Sequence, residues 1–218
     1  MRLYLASTSP ARLALLRQVG IEPVVVPSFV DEEAAVVAAE AANGPLSAGE
    51  LVQLLARLKA EAVVDALPGG SPIDGFILGG DSAFEFGGVI YGKPHLPELA
   101  VERWRAYRGR SGVLHSGHWM IDHRTAQAGP SAVAAAAVGA VTSATVSFAA
   151  DITDAEIDAY VATGEPLEVA GAFTVDGRAA PFITSVTGAP STVIGMSLPT
   201  LRDLVGRLGE PLTAFQGV

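Results

Sequence analysis

The segment LYLASTSPARLALL, residues 3–16, joins a short apolar run to a helix-forming pattern through three consecutive hydroxyl residues. Ser9 is a favourable helix N-cap, and Pro10 suits the first helical position. Leu13 and Leu16 then recur at helical spacing. The segment therefore predicts a buried strand that turns directly into a helix, which is a building unit of mixed α/β folds.

This strand-to-helix turn is also a candidate anion site. The first backbone N–H groups of a helix point outward, and the helix dipole favours a negative charge there. Ser9 adds a hydroxyl, and Arg12 lies in the first turn, where its guanidinium can form two hydrogen bonds to phosphate oxygens. Both are candidate substrate-binding residues. They also fit an ordinary capped helix start in which Arg12 is a solvated surface side chain.

Helical and strand patterns alternate along the rest of the chain. Helices are predicted at about 47–67, 97–107, 153–164 and 198–208, and strands at 22–28, 76–81, 113–122, 142–148 and 182–186. Gly87–Gly88 predicts a hairpin turn, and the low-complexity segment 126–140 predicts a hairpin tip. We expect a mixed twisted sheet with flanking helices. Because no linker stands out, residues 1–218 are predicted to form one domain with two lobes around a central cleft.

Composition excludes several classes of protein. Half of the 218 residues are hydrophobic and 17% are charged, which is typical of a globular chain. There is no apolar run of transmembrane length and no signal-peptide pattern, so no membrane association is expected. The absence of cysteine excludes disulfides and thiolate catalysis and is compatible with a cytoplasmic location. The net charge of −9 argues against a nucleic-acid-binding face.

A second group of candidate residues lies in GGDSAFEFGGVIYGKP, residues 79–94. Asp81 follows a buried strand, and the two preceding glycines would let a ligand approach the backbone. The hairpin returns the chain, so that Lys93 is expected to come back toward Asp81. An Asp that caps a loop and a Lys at a strand end would give the same pattern.

Two further residues extend this set of charges. Glu32 follows the second predicted strand, and Lys59 lies on the long helix that begins near residue 47. Cations together with carboxylates that hold a metal are what polyphosphate hydrolysis requires. The pattern therefore predicts a phosphate site, without naming the substrate.

Four segments, in this order, resemble the Maf family of nucleoside triphosphate pyrophosphatases. The first resembles the family's LASxSPRR opening and the second its GADTxV…GKP segment. The third and fourth resemble its EAYVATGEP…IQG and SNVVGLPLP segments. In this chain they read LASTSPARLALL (5–16), GGDSAFEFGGVIYGKP (79–94), EIDAYVATGEPLEVAGAFTVDGRAAPFI (156–183) and PSTVIGMSLPTL (190–201).

The resemblance implies a two-lobed α/β fold related to the inosine triphosphate pyrophosphatases, and a homodimer. It implies cleavage of a nucleoside triphosphate between the α and β phosphates. Asp81 matches the proton acceptor, acting directly or through a metal-bound water. Lys59 and Lys93 match the phosphate-holding lysines, and Arg12 matches the second arginine of the opening motif. Glu32 matches the family's acidic residue after the second strand.

The expected cofactor is Mg²⁺ or Mn²⁺, held by Glu32 and Asp81. The family has also been linked to septum formation. A non-catalytic nucleotide-binding regulator of cell division is therefore the alternative to an enzyme. Within enzymes, a phosphohydrolase that releases orthophosphate is a further alternative.

The chain departs from the family pattern at three positions that the resemblance associates with base selection. These are Ala11 in place of arginine, Ser82 in place of threonine and Asp176 in place of glutamine. An ionised aspartate only accepts hydrogen bonds and so favours an edge with adjacent donors, such as that of guanine or 7-methylguanine. Ala11 leaves room for a larger base. A surface aspartate in the turn before Gly177 is the simpler interpretation of Asp176.

Overall fold

The computed structural model describes residues 1–124 and 136–217, so most of the predicted hairpin tip at 126–140 lies outside the described residues. The helices are α1 (Pro10–Gln18), α2 (Glu32–Asn43), α3 (Ala48–Glu61), α4 (Pro97–Tyr107), α5 (Asp154–Ala162), α6 (Pro190–Ile194) and α7 (Leu198–Arg207). The strands are β1 (Leu3–Leu5), β2 (Val24–Val25), β3 (Gly75–Phe86), β4 (Val89–Tyr91), β5 (Ser111–His123), β6 (Ala137–Phe148) and β7 (Ile183–Thr187).

The strands form a seven-stranded sheet in the order β2-β1-β3-β5-β6-β7, with β4 paired to β3. Strand β1 is parallel to both β2 and β3. Strand β4 is antiparallel to β3, and β7 is antiparallel to β6. The predicted mixed α/β sheet with flanking helices is therefore confirmed.

Local sequence signals place most element boundaries. Ser47 and Glu50 form a capping box at the start of α3, and Thr153 and Glu156 form another at the start of α5. The turn between β3 and β4 has Gly87 and Gly88 at φ values of 59° and 80°. Positive φ at both central residues is what a type I′ hairpin turn needs, so this hairpin prediction is confirmed.

One predicted helix end needs correction, and two helices, α2 and α6, were not predicted. Helix α3 ends at Glu61 rather than near residue 67, because the chain tightens there and the Val63 N–H bonds to the Ala60 carbonyl. The signals of helix α2 were present, since Asp31 caps it by accepting from the Ala34 N–H at 3.0 Å and the segment is rich in alanine and glutamate.

The described residues divide into two compact units. The first unit contains the described parts of Met1–Asp81, Gly117–Val141 and Leu198–Val218. The second unit contains Ser82–Ser116 and Thr142–Ser197. A single domain with a central cleft stays a prediction.

Glycines bring α3 unusually close to the sheet in the first unit. A Cβ on Gly79 of β3 would lie 2.1 Å from the Ala56 carbonyl oxygen. A Cβ on Gly117 of β5 would lie 2.2 Å from the Val52 carbonyl oxygen. Real Cβ atoms do not approach backbone so closely, so only glycine fits at both positions. This packing holds α3, and with it Lys59, against β3.

The second unit has an aromatic core. Trp104 and Tyr107 of α4 are both fully buried, so this face of the helix belongs to the core. Tyr107 stacks on Phe148 of β6 with ring centroids 4.9 Å apart. The Trp104 Nε1–H donates to the Ala172 carbonyl at 2.8 Å. This hydrogen bond anchors the segment before Phe173 to the core.

Candidate active site

The turn between β1 and α1 forms as the sequence predicts. Ser9 caps α1 by accepting from the Arg12 N–H at 3.4 Å, and Pro10 follows as the first helical residue. The Ser9 N–H in turn donates to the Ser7 hydroxyl at 3.2 Å. The hydroxyl residues therefore shape the turn and start the helix.

Arg12 is buried, with 8% of its surface exposed. Its Nη1 donates to the Ser7 hydroxyl at 3.1 Å. A Cβ on Gly80 would lie 3.1 Å from Arg12 Nε, so the side chain lies across the glycine of β3. The interpretation of Arg12 as a solvated surface residue is therefore wrong. The first unit directs this guanidinium inward.

Lys59 forms ion pairs with two acidic residues that lie on different elements. Its Nζ lies 2.7 Å from Asp81 Oδ1 and 2.7 Å from Glu32 Oε1. Lys59 and Asp81 are buried, whereas about half of the Glu32 side chain is exposed. Helix α3, strand β3 and the first turn of α2 thus place one ammonium between two carboxylates.

Burial and the neighbouring charges act in opposite directions on the pKa values of Asp81 and Arg12. Burial raises the pKa of Asp81, and the Lys59 ammonium and the Arg12 guanidinium lower it. Burial lowers the pKa of Arg12, and the carboxylates of Asp81 and Glu32 raise it. A buried charge is tolerated when it is paired. The formal charges of these four side chains cancel, so the cluster is neutral as a whole.

Glu32 and Asp81 also fit a divalent cation. Both carboxylates place an oxygen on the same Nζ, so the two oxygens are separated by at most twice that distance. In residues 1–124 and 136–217, no group of three or more His, Cys, Asp or Glu side chains converges as a metal site. Mg²⁺ is ordinarily held by one or two carboxylates together with substrate phosphates, and this pair suits that mode.

The two glycines before Asp81 have a different role from the one expected. The sequence analysis assigned them to a close approach of a ligand to the backbone. In the structure Gly79 admits the backbone of α3, and Gly80 makes room for Arg12. Gly79 is needed because the Ala56 carbonyl oxygen occupies the space of a side chain, whereas a Cβ on Gly80 would press on the Arg12 side chain.

The remaining candidates lie outside this cluster. Ala11 occupies the first turn of α1 and is partly buried. In the second unit, the Ser82 hydroxyl donates to the Gly195 carbonyl at 3.2 Å. Lys93 Nζ lies 3.6 Å from Glu168 Oε2. The cation that the structure pairs with Asp81 is Lys59, and a place for Lys93 in the same site stays a prediction.

Asp176 is exposed in a turn organised by a residue that the sequence analysis missed. Glu165 Oε1 accepts from the Arg178 N–H at 2.9 Å and from the Tyr160 hydroxyl at 3.1 Å. It also accepts from the Thr174 hydroxyl. No sequence signal reveals this role, because the donors are scattered from residue 160 to residue 178.

Comparison with known proteins identifies the family of this chain. A family model described as Maf-like protein matches residues 2–208. The chain is 69% identical over 208 residues to the nucleoside triphosphate pyrophosphatase of Leifsonia xyli subsp. xyli, covering 95% of this chain and 93% of that protein. It is 48% identical over 215 residues to the nucleoside triphosphate pyrophosphatase of Salinispora tropica, covering 99% and 87%.

Among solved structures, the Staphylococcus aureus Ham1 protein superimposes with a TM-score of 0.39 at 14% identity, over 69% of this chain and 73% of that one. This similarity is too weak to carry an argument. Among the described residues, no helix is long and apolar enough to cross a membrane. The family model spans almost the whole sequence and the relatives match at high identity, so the chain belongs to the Maf family.

Proposed function

We propose that this protein is a nucleoside triphosphate pyrophosphatase, which hydrolyses a nucleoside triphosphate to a nucleoside monophosphate and pyrophosphate. Membership of the Maf family and the names of its relatives support this proposal. The observation that carries it is the neutral cluster in which Lys59 lies between Glu32 and Asp81. A pairing of cations with acids suits a polyanionic substrate that arrives with a metal.

Different residues of the chain bind the phosphates and accept the proton. Arg12 and Lys59 bind phosphate oxygens, and the Ser9 hydroxyl adds a neutral donor. Asp81 accepts a proton from the water whose oxygen attacks the α-phosphorus. The bond from that phosphorus to the bridging oxygen breaks, and pyrophosphate leaves with the electron pair. Burial, which raises the pKa of Asp81, makes it a stronger base than an exposed aspartate.

Glu32 and Asp81 would hold the divalent cation, Mg²⁺ or Mn²⁺. When bound, such an ion supplies positive charge that stabilises the phosphates during the transfer. Lys93 is proposed to bind phosphate oxygens of the substrate. This last assignment rests on the GKP motif and the family resemblance.

The first experiment identifies the products. Incubation with GTP and Mg²⁺, followed by separate assays for pyrophosphate and orthophosphate, should give GMP and pyrophosphate in equal amounts. Release of orthophosphate instead would show a phosphohydrolase of another type. Nucleotide binding without any turnover would favour a non-catalytic regulator of cell division.

We propose that the base is of the guanine type, with or without modification. Asp176 is exposed and its carboxylate can only accept, which suits the adjacent N–H donors of guanine. Ala11 and Ser82 are the other residues that we assign to base selection. An unmatched polar group at a base edge costs about 1–3 kcal/mol, which corresponds to about ten- to hundredfold in kcat/KM.

A nucleotide panel tests this preference. The wild type should favour GTP and 7-methyl-GTP over dTTP and UTP, and Asp176→Gln should shift the ratio toward dTTP and UTP. A wild-type preference for dTTP or UTP would contradict the assignment. The resemblance further implies a homodimer, and light scattering of the purified protein should give twice the chain mass of 22.3 kDa. The cytoplasmic location, with which the absence of cysteine is compatible, stays a prediction.

A further inference from the structure

We propose that Lys59 is an internal cation that holds the place of the divalent metal until a metal–nucleotide complex arrives. The inference rests on the proposed function for the assignment of Glu32 and Asp81 as the metal pair. It concerns the resting protein, so its test needs no catalysis.

The Lys59 Nζ contacts both acids at the same distance. It lies 2.7 Å from Glu32 Oε1 and 2.7 Å from Asp81 Oδ1, and the lysine itself is 8% exposed. A divalent ion held by Glu32 and Asp81 would need the place that the ammonium now occupies. Lys59 Nζ and such an ion cannot occupy that position together, so binding of one displaces the other.

Charge gives a second reason for exclusion. Glu32 and Asp81 carry two negative charges, which Lys59 and Arg12 balance. A divalent cation that entered alone would leave the cluster with a charge of +2. A triphosphate that arrives with the cation supplies negative charge. The displaced ammonium can then form an ion pair with the phosphate oxygens. The neutral resting cluster therefore disfavours free metal and accepts metal together with nucleotide.

The nature of the side chain fits this role. Lysine is a point charge on a flexible four-carbon stem, so its ammonium can move from carboxylate to phosphate without a change in the backbone. The backbone of α3 is fixed, because Gly79 and Gly117 pack directly against it. Movement of Lys59 is thus confined to the side chain.

Binding of Mn²⁺ alone, without nucleotide, tests the proposal. Titration calorimetry or the electron paramagnetic resonance signal of free Mn²⁺ gives the affinity. Lys59→Met keeps the stem and removes the charge. It should bind Mn²⁺ about tenfold or more tightly than the wild type, because an opposite charge at contact shifts a carboxylate's proton affinity by about 1–3 pK units. Equal affinity in the two proteins would overturn the proposal.

Two further variants assign the effect to this site. Arg57→Gln removes a positive charge from the exposed side of α3, where Arg57 pairs with Glu61, and should leave Mn²⁺ binding unchanged. The double variant Lys59→Met, Asp81→Asn should lose the gain in affinity. If the double variant keeps it, the metal pair is wrong and the proposal fails with it.

Thermal unfolding supplies an independent measure. Without the ammonium the two acids repel each other, so Mn²⁺ should raise the Tm of Lys59→Met more than that of the wild type. If Lys59→Met does not fold under any condition, Lys59→Gln replaces it in both measurements. Tight Mn²⁺ binding is the expected result in either variant. A wild type that releases no pyrophosphate would refute the proposed function, whereas an unchanged Mn²⁺ affinity in an active enzyme refutes only this inference.

Discussion

Single residues of the cluster differ in how firmly they hold their charge. The Arg12 guanidinium stays protonated even when buried, so it supplies a permanent positive charge. Burial raises the pKa of Asp81, while Lys59 and Arg12 act in the opposite direction. Because lysine carries its charge on a flexible stem whereas the Arg12 side chain lies across Gly80, the two cations are not interchangeable.

Replacement of Asp81 by Asn should abolish turnover and spare nucleotide binding. The amide has the size of the carboxylate but cannot accept the proton of the attacking water, and a general base contributes about 10²–10⁴ in rate. We expect kcat to fall by at least about a hundredfold. Pyrophosphate release measures the rate, and calorimetry with an α,β-methylene nucleotide measures binding.

A surface aspartate provides the matched control for this variant. Asp203 is largely exposed on α7, and its contact with Arg207 is long, at 3.9 Å. Asp203→Asn removes the same charge and should retain the wild-type rate. A rate close to that of the wild type in Asp81→Asn would refute the role of Asp81.

At the level of elements, the site depends on how closely α3 lies on β3. The distance is set by Gly79, whose missing Cβ gives room to the Ala56 carbonyl. Lys59 follows Ala56 by three residues on α3, and Asp81 follows Gly79 by two on β3. The close packing of α3 on β3 therefore brings Lys59 and Asp81 into contact.

Gly79→Ala should destabilise the protein strongly. Its Cβ would lie 2.1 Å from a backbone oxygen that no side-chain rotation can move. Forced overpacking costs about 1–3 kcal/mol or more, so we expect the free energy of unfolding in urea to fall by about 3 kcal/mol. Gly206→Ala is the control, since no atom lies within 4 Å of its Cβ position on α7. It should raise stability by about 0.5–1 kcal/mol. An unchanged stability of Gly79→Ala would contradict the packing.

The turn that carries Asp176 depends on one carboxylate oxygen. Glu165→Ala leaves the Arg178 N–H and the Thr174 hydroxyl without their acceptor, so the turn should loosen. We expect KM for the preferred nucleotide to rise and the discrimination between bases to fall, with kcat less affected.

Glu165→Gln is the informative partner of that variant. Its amide oxygen still accepts from the same donors, so selectivity should return to that of the wild type. Measuring kcat and KM separately for GTP and UTP distinguishes the two variants. Equal loss of selectivity in both would show that the negative charge, and not the acceptor, matters.

At the level of the whole molecule, charge is distributed unevenly. The chain carries a net charge of −9, yet the cluster around Lys59 is neutral and contains two buried cations. The two cations of this cluster therefore favour the binding of a polyanion there. An extended basic surface, which duplex binding requires, is not expected from this composition.

A competition assay tests this distinction. Inorganic tripolyphosphate should inhibit GTP hydrolysis, because it fits the converging cations. Duplex DNA at the same phosphate concentration should not inhibit, since its backbone needs a broad cationic face. Equal inhibition by both polyanions would show an anion site that is not confined to the cluster.

Much of the fold was predictable because its signals are local. Capping boxes at Ser47 and Thr153 and the glycine pair at 87–88 depend on residues a few positions apart. Helix α2 was missed although its cap and alanine content were visible. The end of α3 was misplaced because a continuous apolar pattern does not show where the chain turns into the core.

The site was predictable only as a set of residue types. The sequence and its resemblance to the Maf family determined the charged candidates, the strand-to-helix turn and the hairpin, because these follow from short-range chemistry and ordered motifs. Tertiary structure decided that Arg12 is buried, that the glycines before Asp81 admit α3 and Arg12, and that Lys59 lies between Glu32 and Asp81. These contacts join segments far apart in the chain, and only the packing of α3 on the sheet brings them together.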